Sequence, residues 1–355
     1  MILKNLWERK IFFETLKITL FFLFVFFAVF MFVDFSIHSA KIFSHANAKF
    51  IDILNFYKNL FFTELNILLP LTILLASIKV LSEMNIHHEL TALRMSGISS
   101  KLLSRPFLLI AIISTCISYA NLEFFLPSAL TFKNNFKSLY IKKTKYKNLQ
   151  PNIIYLTDDK KLIYQKCDFN KNELFDVFFI NSNTEIWHAK YLDLNKKPPV
   201  GKYVDKLSKN NSFFEKKDSF EIFLFHDIII NKTSYNLFVP HLNRSISTLF
   251  TQYINPSIAQ KETQEISSYL NYKLAIPLIS ILLILFIFPY LLKFSKNISI
   301  FFICGFSIFG YVLFYTIMDS ALILAENSNL PPYLIIWSPI LTAFFIGTKK
   351  YLKVF

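Results

Sequence analysis

Long uncharged apolar runs alternate with short charged segments through most of the chain. A transmembrane helix needs about 20 mostly apolar residues to cross the bilayer core. Six runs approach or reach this length: Ile18–Val33, Leu65–Ile78, Pro106–Leu122, Leu274–Leu292, Asn297–Met318 and Asn327–Thr348. The pattern predicts an α-helical polytopic membrane protein with six transmembrane helices, three within residues 1–126 and three within residues 268–355.

The segment between the third and fourth spans, residues 127–267, has a different pattern. Short stretches rich in β-branched and aromatic residues are separated by Asn, Asp, Lys and Pro and alternate partly with period two, which is typical of β-strands. The predicted strands are Ile153–Leu156, Lys161–Gln165, Leu174–Ile180, Glu185–Tyr191 and Ser219–Phe225, and a helix is predicted at Ile246–Ile266. Their even spacing favours a sandwich or jelly roll, so we expect an inserted all-β, jelly-roll-like domain with a connecting helix.

Basic residues near the span ends predict the orientation, because Lys and Arg concentrate on the cytoplasmic side. They flank the spans at Lys4, Arg9, Lys10 and Lys17, at Arg94, Lys101 and Arg105, at Lys293 and Lys296, and at Lys349, Lys350 and Lys353. The loop after the first span also carries Lys41, Lys49 and Lys58, so the asymmetry is partial. The pattern predicts both termini in the cytoplasm and the β domain outside.

Composition agrees with a membrane protein and argues against several other classes. The 355 residues are 54% hydrophobic and include 42 Phe but only 5 Gly. The net charge of +14 is scattered around the apolar segments, which fits topology and anionic lipid better than nucleic acid. Of the three cysteines, Cys116 and Cys304 lie in spans and Cys167 stands alone, so no disulfide framework is expected in the β domain.

No motif for nucleotide hydrolysis or metal binding is found in the sequence. It contains neither G-x-x-x-x-G-K-[ST] nor G-x-G-x-x-G, and neither H-E-x-x-H nor paired cysteines. His87 and His88 would point about 100° apart on a helix and would not converge on one ion. We therefore expect no enzyme activity, no metal and no cofactor in this chain.

The polar segment Glu83–Ser99, between the second and third spans, is predicted to form a short exposed helix from Asn85 to Ser96. Ile86, Leu90 and Leu93 recur at i, i+4 and i+7 and would form a narrow apolar stripe. The stripe suits either a lipid surface or the groove of a partner protein.

Charged and special residues around this stripe favour the groove. Glu89 and Arg94 are five residues apart, which is not a standard helical ion pair, so they are expected to be free to pair with another chain. Gly97 stands where a left-handed C-cap would end the helix.

Three motifs give the chain a family resemblance. The run His88–Ser99 resembles the coupling helix of the LptF/LptG permeases, the membrane half of the lipopolysaccharide-transport ABC exporter. Lys273-Leu-Ala-Ile-Pro277 is similar to the basic-x-x-x-Pro start of that family's fourth span. Leu330–Pro339 resembles the Pro-Pro…Trp-x-Pro entry into its sixth. Six spans with a β domain after the third resemble the family over essentially the whole chain.

The resemblance implies a mechanism. Two homologous permeases, F and G, would enclose a V-shaped cavity in the inner membrane, and an LptB-like cytoplasmic ATPase dimer would hydrolyse ATP and grip their coupling helices. Lipopolysaccharide would be squeezed into the β-jelly rolls and on to periplasmic LptC/LptA-like proteins. By this resemblance Glu89 corresponds to the glutamate that contacts the ATPase, and Leu90, Leu93, Arg94 and Gly97 shape the same surface, within residues 84–98.

The resemblance leans to the G member, because Phe32-Val33-Asp34 and the Leu-Thr-Ala-Leu-Arg run look like it. Met31 stands where that member carries a basic residue, so Lys41 or Lys273 is the candidate to bind lipid A phosphates. Two alternatives stay open from the sequence. One is a membrane-anchored sensor that signals through Glu83–Ser99, and the other is an exporter subunit for a different glycolipid.

Overall fold

The chain folds into a helical unit and a β unit. The computed structural model describes residues 5–43, 50–137, 152–155, 160–168, 173–182, 184–196, 198–210, 213–226, 228, 240–254, 260–292, 300–328 and 330–354. The helical unit comprises Met1–Lys143 and Ser268–Phe355, and the β unit comprises Thr144–Ser267.

The helices are longer than the apolar runs that predict them. Within the described residues the α-helices are α1 (Leu6–Phe43), α2 (Phe50–Ile86), α3 (Glu89–Met95), α4 (Ser100–Ala120), α5 (Leu126–Phe136), α6 (Ile246–Ile254), α7 (Gln260–Ala275), α8 (Ile279–Leu292), α9 (Ile300–Asn327) and α10 (Pro332–Val354). A 3₁₀ turn at Ile276–Leu278 joins α7 to α8. The predicted helix Ile246–Ile266 is divided between α6 and α7, and α6 ends two residues before Pro256, which cannot donate a backbone hydrogen bond.

Five helical stretches among the described residues are long and apolar enough to cross a membrane. They are Leu6–Ser39, Phe50–Ile86, Lys101–Asn134, Thr263–Leu292 and Phe301–Asn327. The 23-residue α10 is long enough but is not among them, because Tyr, Pro, Ser and Trp dilute its apolar residues. The polytopic helical architecture with an inserted β unit is confirmed, and the sixth span stays a prediction.

The helical unit is built around α2. Of the 18 most apolar consecutive residues in each span, 72% are buried in α2 and 67% in Thr263–Leu292. In α1 and α9 only 6% and 11% are buried. Ile73, Leu74 and Ile78 of α2 pack in one core with Phe107 of α4 and Phe288 of α8. Two spans thus form the centre of the unit, and two lie at its surface.

Side chains of α4 compensate for the break between α7 and α8. Pro277 has no N–H, so the helix cannot run through it with all its backbone hydrogen bonds made. The Tyr119 hydroxyl donates to the Leu274 carbonyl at 2.6 Å. The Thr115 hydroxyl is shared between the Ala111 carbonyl of its own helix at 2.8 Å and the Pro277 carbonyl at 3.2 Å. This gives the Lys273–Pro277 motif a physical role, since backbone groups inside a membrane need a protein partner.

A second irregularity lies between α4 and α5, where Asn121–Phe125 form a π-helical turn. Pro127 in the first turn of α5 again removes an N–H, which is one cause of such turns. The Asn121 amide donates to the Phe62 carbonyl at 2.9 Å and to the Asn66 side chain at 3.2 Å. The turn is therefore fixed to α2.

The β unit contains one antiparallel sheet of described strands in consecutive order. The strands are β1 (Asn152–Tyr155), β2 (Lys161–Asp168), β3 (Glu173–Ser182), β4 (Glu185–Asp193), β5 (Val200–Asn210) and β6 (Phe213–Leu224). The sequence missed β5, and it started β6 six residues late at Ser219. The described strands form a meander and not the two Greek keys of a jelly roll.

A crease crosses this sheet and explains why the period-two pattern was only partial. One row of residues, with one member in each strand from β2 to β6, does not pair between neighbouring strands. The row consists of Gln165, Asp176, Lys190, Tyr203 and Glu221. Asp176 and Tyr203 both have φ 54. The register of the strands is the same on both sides of this row, so no strand is bulged relative to its neighbours, but the alternation of inward-facing side chains shifts phase across it.

Inward-facing residues are consequently three apart across the crease, as in Leu174 and Val177 or Ala189 and Leu192, and both sides contribute to one core cluster. A single sheet thus bends round its own hydrophobic core. The all-β insertion is therefore as predicted, with one bent sheet in place of a two-sheet jelly roll.

Gly201 allows the close packing inside that bend. A Cβ at this position would lie 2.6 Å from Cε2 of Phe225 and 2.7 Å from Cγ2 of Val204. We predict that Gly201→Ala lowers the free energy of unfolding of the β unit by about 1–3 kcal/mol, the usual cost of overpacking. Limited proteolysis of the purified chain measures this as faster cleavage in the β unit.

Gly305→Ala is the matched control, because a Cβ at Gly305 in α9 meets nothing within 4 Å. Equal protease resistance of the β unit in the two variants would contradict the packing argument.

Candidate functional site

A short exposed helix follows α2 after a sharp turn. His88 adopts a left-handed backbone conformation, with φ 58, and its N–H bonds to the Asn85 carbonyl at 3.2 Å. This conformation is unfavourable for a residue with a Cβ, so α2 ends at Ile86 and α3 begins only at Glu89. The prediction of one helix from Asn85 to Ser96 was wrong at its start by four residues.

The apolar residues of this region do not form one stripe. Leu90 is buried in the core of the helical unit, and Leu93 packs against that core. Ile86 belongs to α2 and is exposed. The prediction of a common stripe was wrong, because the turn at His88 rotates Ile86 away from the two leucines. Leu90 and Leu93 anchor α3 to its own chain.

Gly97 ends α3 as its position predicts, with φ 83. Its N–H bonds to the Arg94 carbonyl at 3.0 Å, and the Ile98 N–H bonds to the Leu93 carbonyl at 3.2 Å. These two bonds are the Schellman pattern, and the apolar contact that accompanies it has its partners in Leu93 and Ile98, which both pack against the core.

Glu89 is paired inside the chain. Lys10 of α1 lies 2.9 Å and 3.2 Å from its two carboxylate oxygens. The expectation that Glu89 is free to pair elsewhere was therefore wrong for the chain by itself. Both side chains are about half exposed, however, and such surface pairs contribute only about 0–1 kcal/mol.

Arg94 joins α3 to α8. Its Nη2 donates to the carbonyl of Leu292, the last residue of α8, at 3.2 Å. The last carbonyls of a helix lack partners within it, and a positive charge is favourable at that end. The expectation that Arg94 is free was likewise wrong, and the bond connects α3 to the fourth span.

The residues of α3 that face away from the core are those that sequence reasoning overlooked. Met95 has 84% of its surface exposed, and Thr91 and Ala92 are also exposed. Met is flexible and polarisable and adapts well to a partner surface. Helical periodicity could have identified Met95 from the sequence, because a helix that begins at Glu89 places Met95 on the side opposite Leu90 and Leu93.

A cleft of about 500 Å³ lies beside α3, between α1 and α2. Its polar lining consists of Lys10, Lys17, Lys79, Glu14, Glu83, Glu89 and His87. Equal numbers of lysines and glutamates give the cleft no marked preference for an anion, so it does not suit a phosphate group.

The two lysines proposed for the lipid lie elsewhere. Lys273 is buried in the last turn of α7. Lys41 lies in α1, and its side chain is outside the part of the structure that is described. No group of three or more His, Cys, Asp or Glu side chains suited to a metal ion is found among the described residues.

Comparison with known families identifies the chain. Residues 9–352 match the family described as lipopolysaccharide export system permease LptF/LptG. The chain belongs to the LptF/LptG family. It is therefore a lipopolysaccharide export permease, a membrane transporter subunit rather than a catalytic enzyme. A search of curated proteins returned no match to the chain.

The family match confirms the resemblance found in the sequence. It argues against the membrane-anchored sensor, because a sensor is a different class of protein from a permease. Because the description covers both members, the leaning to LptG stays a prediction.

We predict that Gly97→Val loosens the C-terminus of α3, because a β-branched residue in the left-handed conformation costs about 1–2 kcal/mol. Gly97→Asn is the control, since Asn tolerates this conformation and a Cβ at Gly97 meets nothing within 4 Å. Amide hydrogen exchange at residue 98 measures the difference and should be faster in the valine variant. Equal exchange in both variants would show that this cap does not hold α3.

Proposed function

We propose that this chain is one of two permease subunits that extract lipopolysaccharide from the inner membrane under the action of a separate ATPase. The carrying observation is α3, a seven-residue helix exposed on one side and fixed on the other to its own chain. Leu90 ties it to the core, Lys10 to α1, and the Leu292 carbonyl to α8. A partner that moves α3 would displace the span that ends in α8 with it, because Leu90 and Arg94 keep α3 attached when the exposed Lys10 pair is exchanged.

The source of that movement is an LptB-like cytoplasmic ATPase dimer, because the sequence has no phosphate-binding loop of its own. Its groove receives the exposed side of α3, with Met95 as the adaptable contact and Glu89 as the charged one. Leu90, Leu93 and Gly97 hold the helix in place, and Arg94 transmits its movement to α8. Because α3 meets the ATPase on the cytoplasmic side, both termini lie in the cytoplasm and the β unit lies in the periplasm.

A sister permease completes the cavity. The apolar surfaces of α1 and α9 are almost unburied in the chain by itself. They are available to line a cavity for the acyl chains of lipopolysaccharide and to contact the sister subunit. The β unit then receives the lipid and passes it to LptC/LptA-like periplasmic proteins.

Glu89→Lys should abolish transport without affecting membrane insertion, because it repels the ATPase surface that receives a carboxylate. The double variant Lys10→Glu, Glu89→Lys restores the internal ion pair but should not restore transport. The measurement is lipopolysaccharide-dependent ATPase activity and lipid release in proteoliposomes that contain the copurified subunits.

Glu83→Lys is the matched control. Glu83 undergoes the same charge change near the end of α2 and pairs with Lys79 at 3.5 Å, but it lies outside α3. Normal coupling in Glu89→Lys would contradict the assignment, and rescue by the double variant would give Glu89 a purely internal role.

Crosslinking tests the cargo. A photoreactive residue at Phe32, near the end of the apolar run Ile18–Val33 of α1, or at Leu324, near the end of α9, should crosslink to lipopolysaccharide, because both side chains are exposed. Ile117 of α4 is exposed five residues before the end of its apolar run, Pro106–Leu122, and should crosslink only to phospholipid. Equal lipopolysaccharide labelling at all three positions would contradict a cavity bounded by α1 and α9.

A further inference from the structure

The helix α6 exposes its apolar face. Ile246, Phe250, Tyr253 and Ile254 are spaced at i, i+4, i+7 and i+8, the pattern of one helix face. Phe250, Tyr253 and Ile254 are 53%, 49% and 62% exposed, and Leu242 in the preceding turn is exposed as well. In a helix that packs on a protein core this face would be the buried one.

The buried side of α6 is partly polar. Leu249 is buried, but so are Gln252 and, just before the helix, Arg244. The Arg244 guanidinium donates to the Gln252 side-chain oxygen at 2.8 Å. The helix thus turns an amide and a guanidinium inward and two aromatic rings outward, which indicates an apolar environment on its outer side.

No charged residue occurs in α6, whose polar positions are Ser247, Thr248, Thr251 and Gln252. A helix that faces water usually carries charges on its exposed side. The remaining exposed arc, with Ser247 and Thr251, is polar but neutral. Such a helix suits the headgroup region, where its polar arc meets water and its apolar arc meets acyl chains.

The segment before this helix contacts α7, the helix that leads into a membrane span. His241, five residues before α6, lies with Nε2 3.5 Å from the Glu265 carboxylate. Glu265 lies in α7, near the start of the apolar stretch Thr263–Leu292. Since the bilayer core takes about 20 of these residues, the first ten lie in the headgroup region or just above it. The segment that begins α6 is therefore close to the lipid surface.

We propose that α6 is an interfacial helix that inserts Phe250, Tyr253 and Ile254 into the membrane leaflet beside the β unit, the periplasmic leaflet in the proposed orientation. The occupant of its apolar face is phospholipid, because the face is uncharged and the segment before α6 contacts α7, which leads into a span. Aromatic side chains are preferred at this depth. The inference requires only that the chain is a membrane protein and is independent of coupling through α3.

The test compares Phe250→Trp with Thr251→Trp in the full-length chain, with any copurifying subunits, in nanodiscs. Thr251 is exposed on the neutral polar arc of the same helix, so it is the matched control. The probe is phosphatidylcholine brominated on its acyl chains, which quenches tryptophan in contact with lipid. The wild-type chain gives the background of the three native tryptophans.

Phe250→Trp should add emission that brominated lipid quenches, and Thr251→Trp should add emission that it does not quench. The quenching should be the same when phosphatidylglycerol replaces half of the phospholipid, because no charge on α6 contributes. An added emission that is blue-shifted but not quenched would show that protein covers this face and would overturn the proposal. Emission typical of water at both positions would overturn it too.

Discussion

Side-chain donors that reach the backbone carbonyls of a neighbouring helix hold the helical unit together at its irregular points. Thr115 and Tyr119 reach the break before α8, Asn121 reaches α2, and Arg94 reaches the end of α8. In lipid, a carbonyl without a donor costs several kcal/mol, since no water replaces the missing bond. Each irregular turn in a helix is therefore also a point where a second helix is hydrogen-bonded to it, and these bonds help to fix the spans relative to one another.

The same argument sets the mechanical strength of the connections to α3. Burying Leu90 contributes about 1.5–3 kcal/mol, and the exposed Lys10–Glu89 pair contributes about 0–1 kcal/mol. A partner can therefore take Glu89 from Lys10 at little cost while Leu90 and Arg94 keep α3 attached. The strong connections lead inward to the core and α8, and the exchangeable one faces outward. This division suits a helix that receives force from a partner and passes it to a membrane span.

Sequence reasoning located five of the spans, the exposed helix and the β insertion because each depends on a local pattern of apolar residues. It did not find β5, where the crease at Tyr203 shifts the phase of alternation and Lys202 and Lys209 lie exposed on the outer face. It also misplaced the start of α3, because the left-handed turn at His88 occurs at a residue that carries a Cβ and so has no glycine to signal it. The ion pair between Glu89 and Lys10 joins residues that are 79 positions apart in the sequence, and a local sequence pattern does not extend that far.

The uneven burial of the spans has a consequence for movement. Lipid tails are as apolar as a neighbouring helix, so α1 and α9 lose little hydrophobic free energy when they lie at the surface of the unit. By the same reasoning, moving them against lipid or a second permease costs little. The buried pair, α2 and the span that ends in α8, would resist such movement, because it shares one packed core. The proposed function, in which a partner ATPase opens and closes a cavity, needs this combination of a rigid centre and peripheral spans that rearrange at little cost around a lipid.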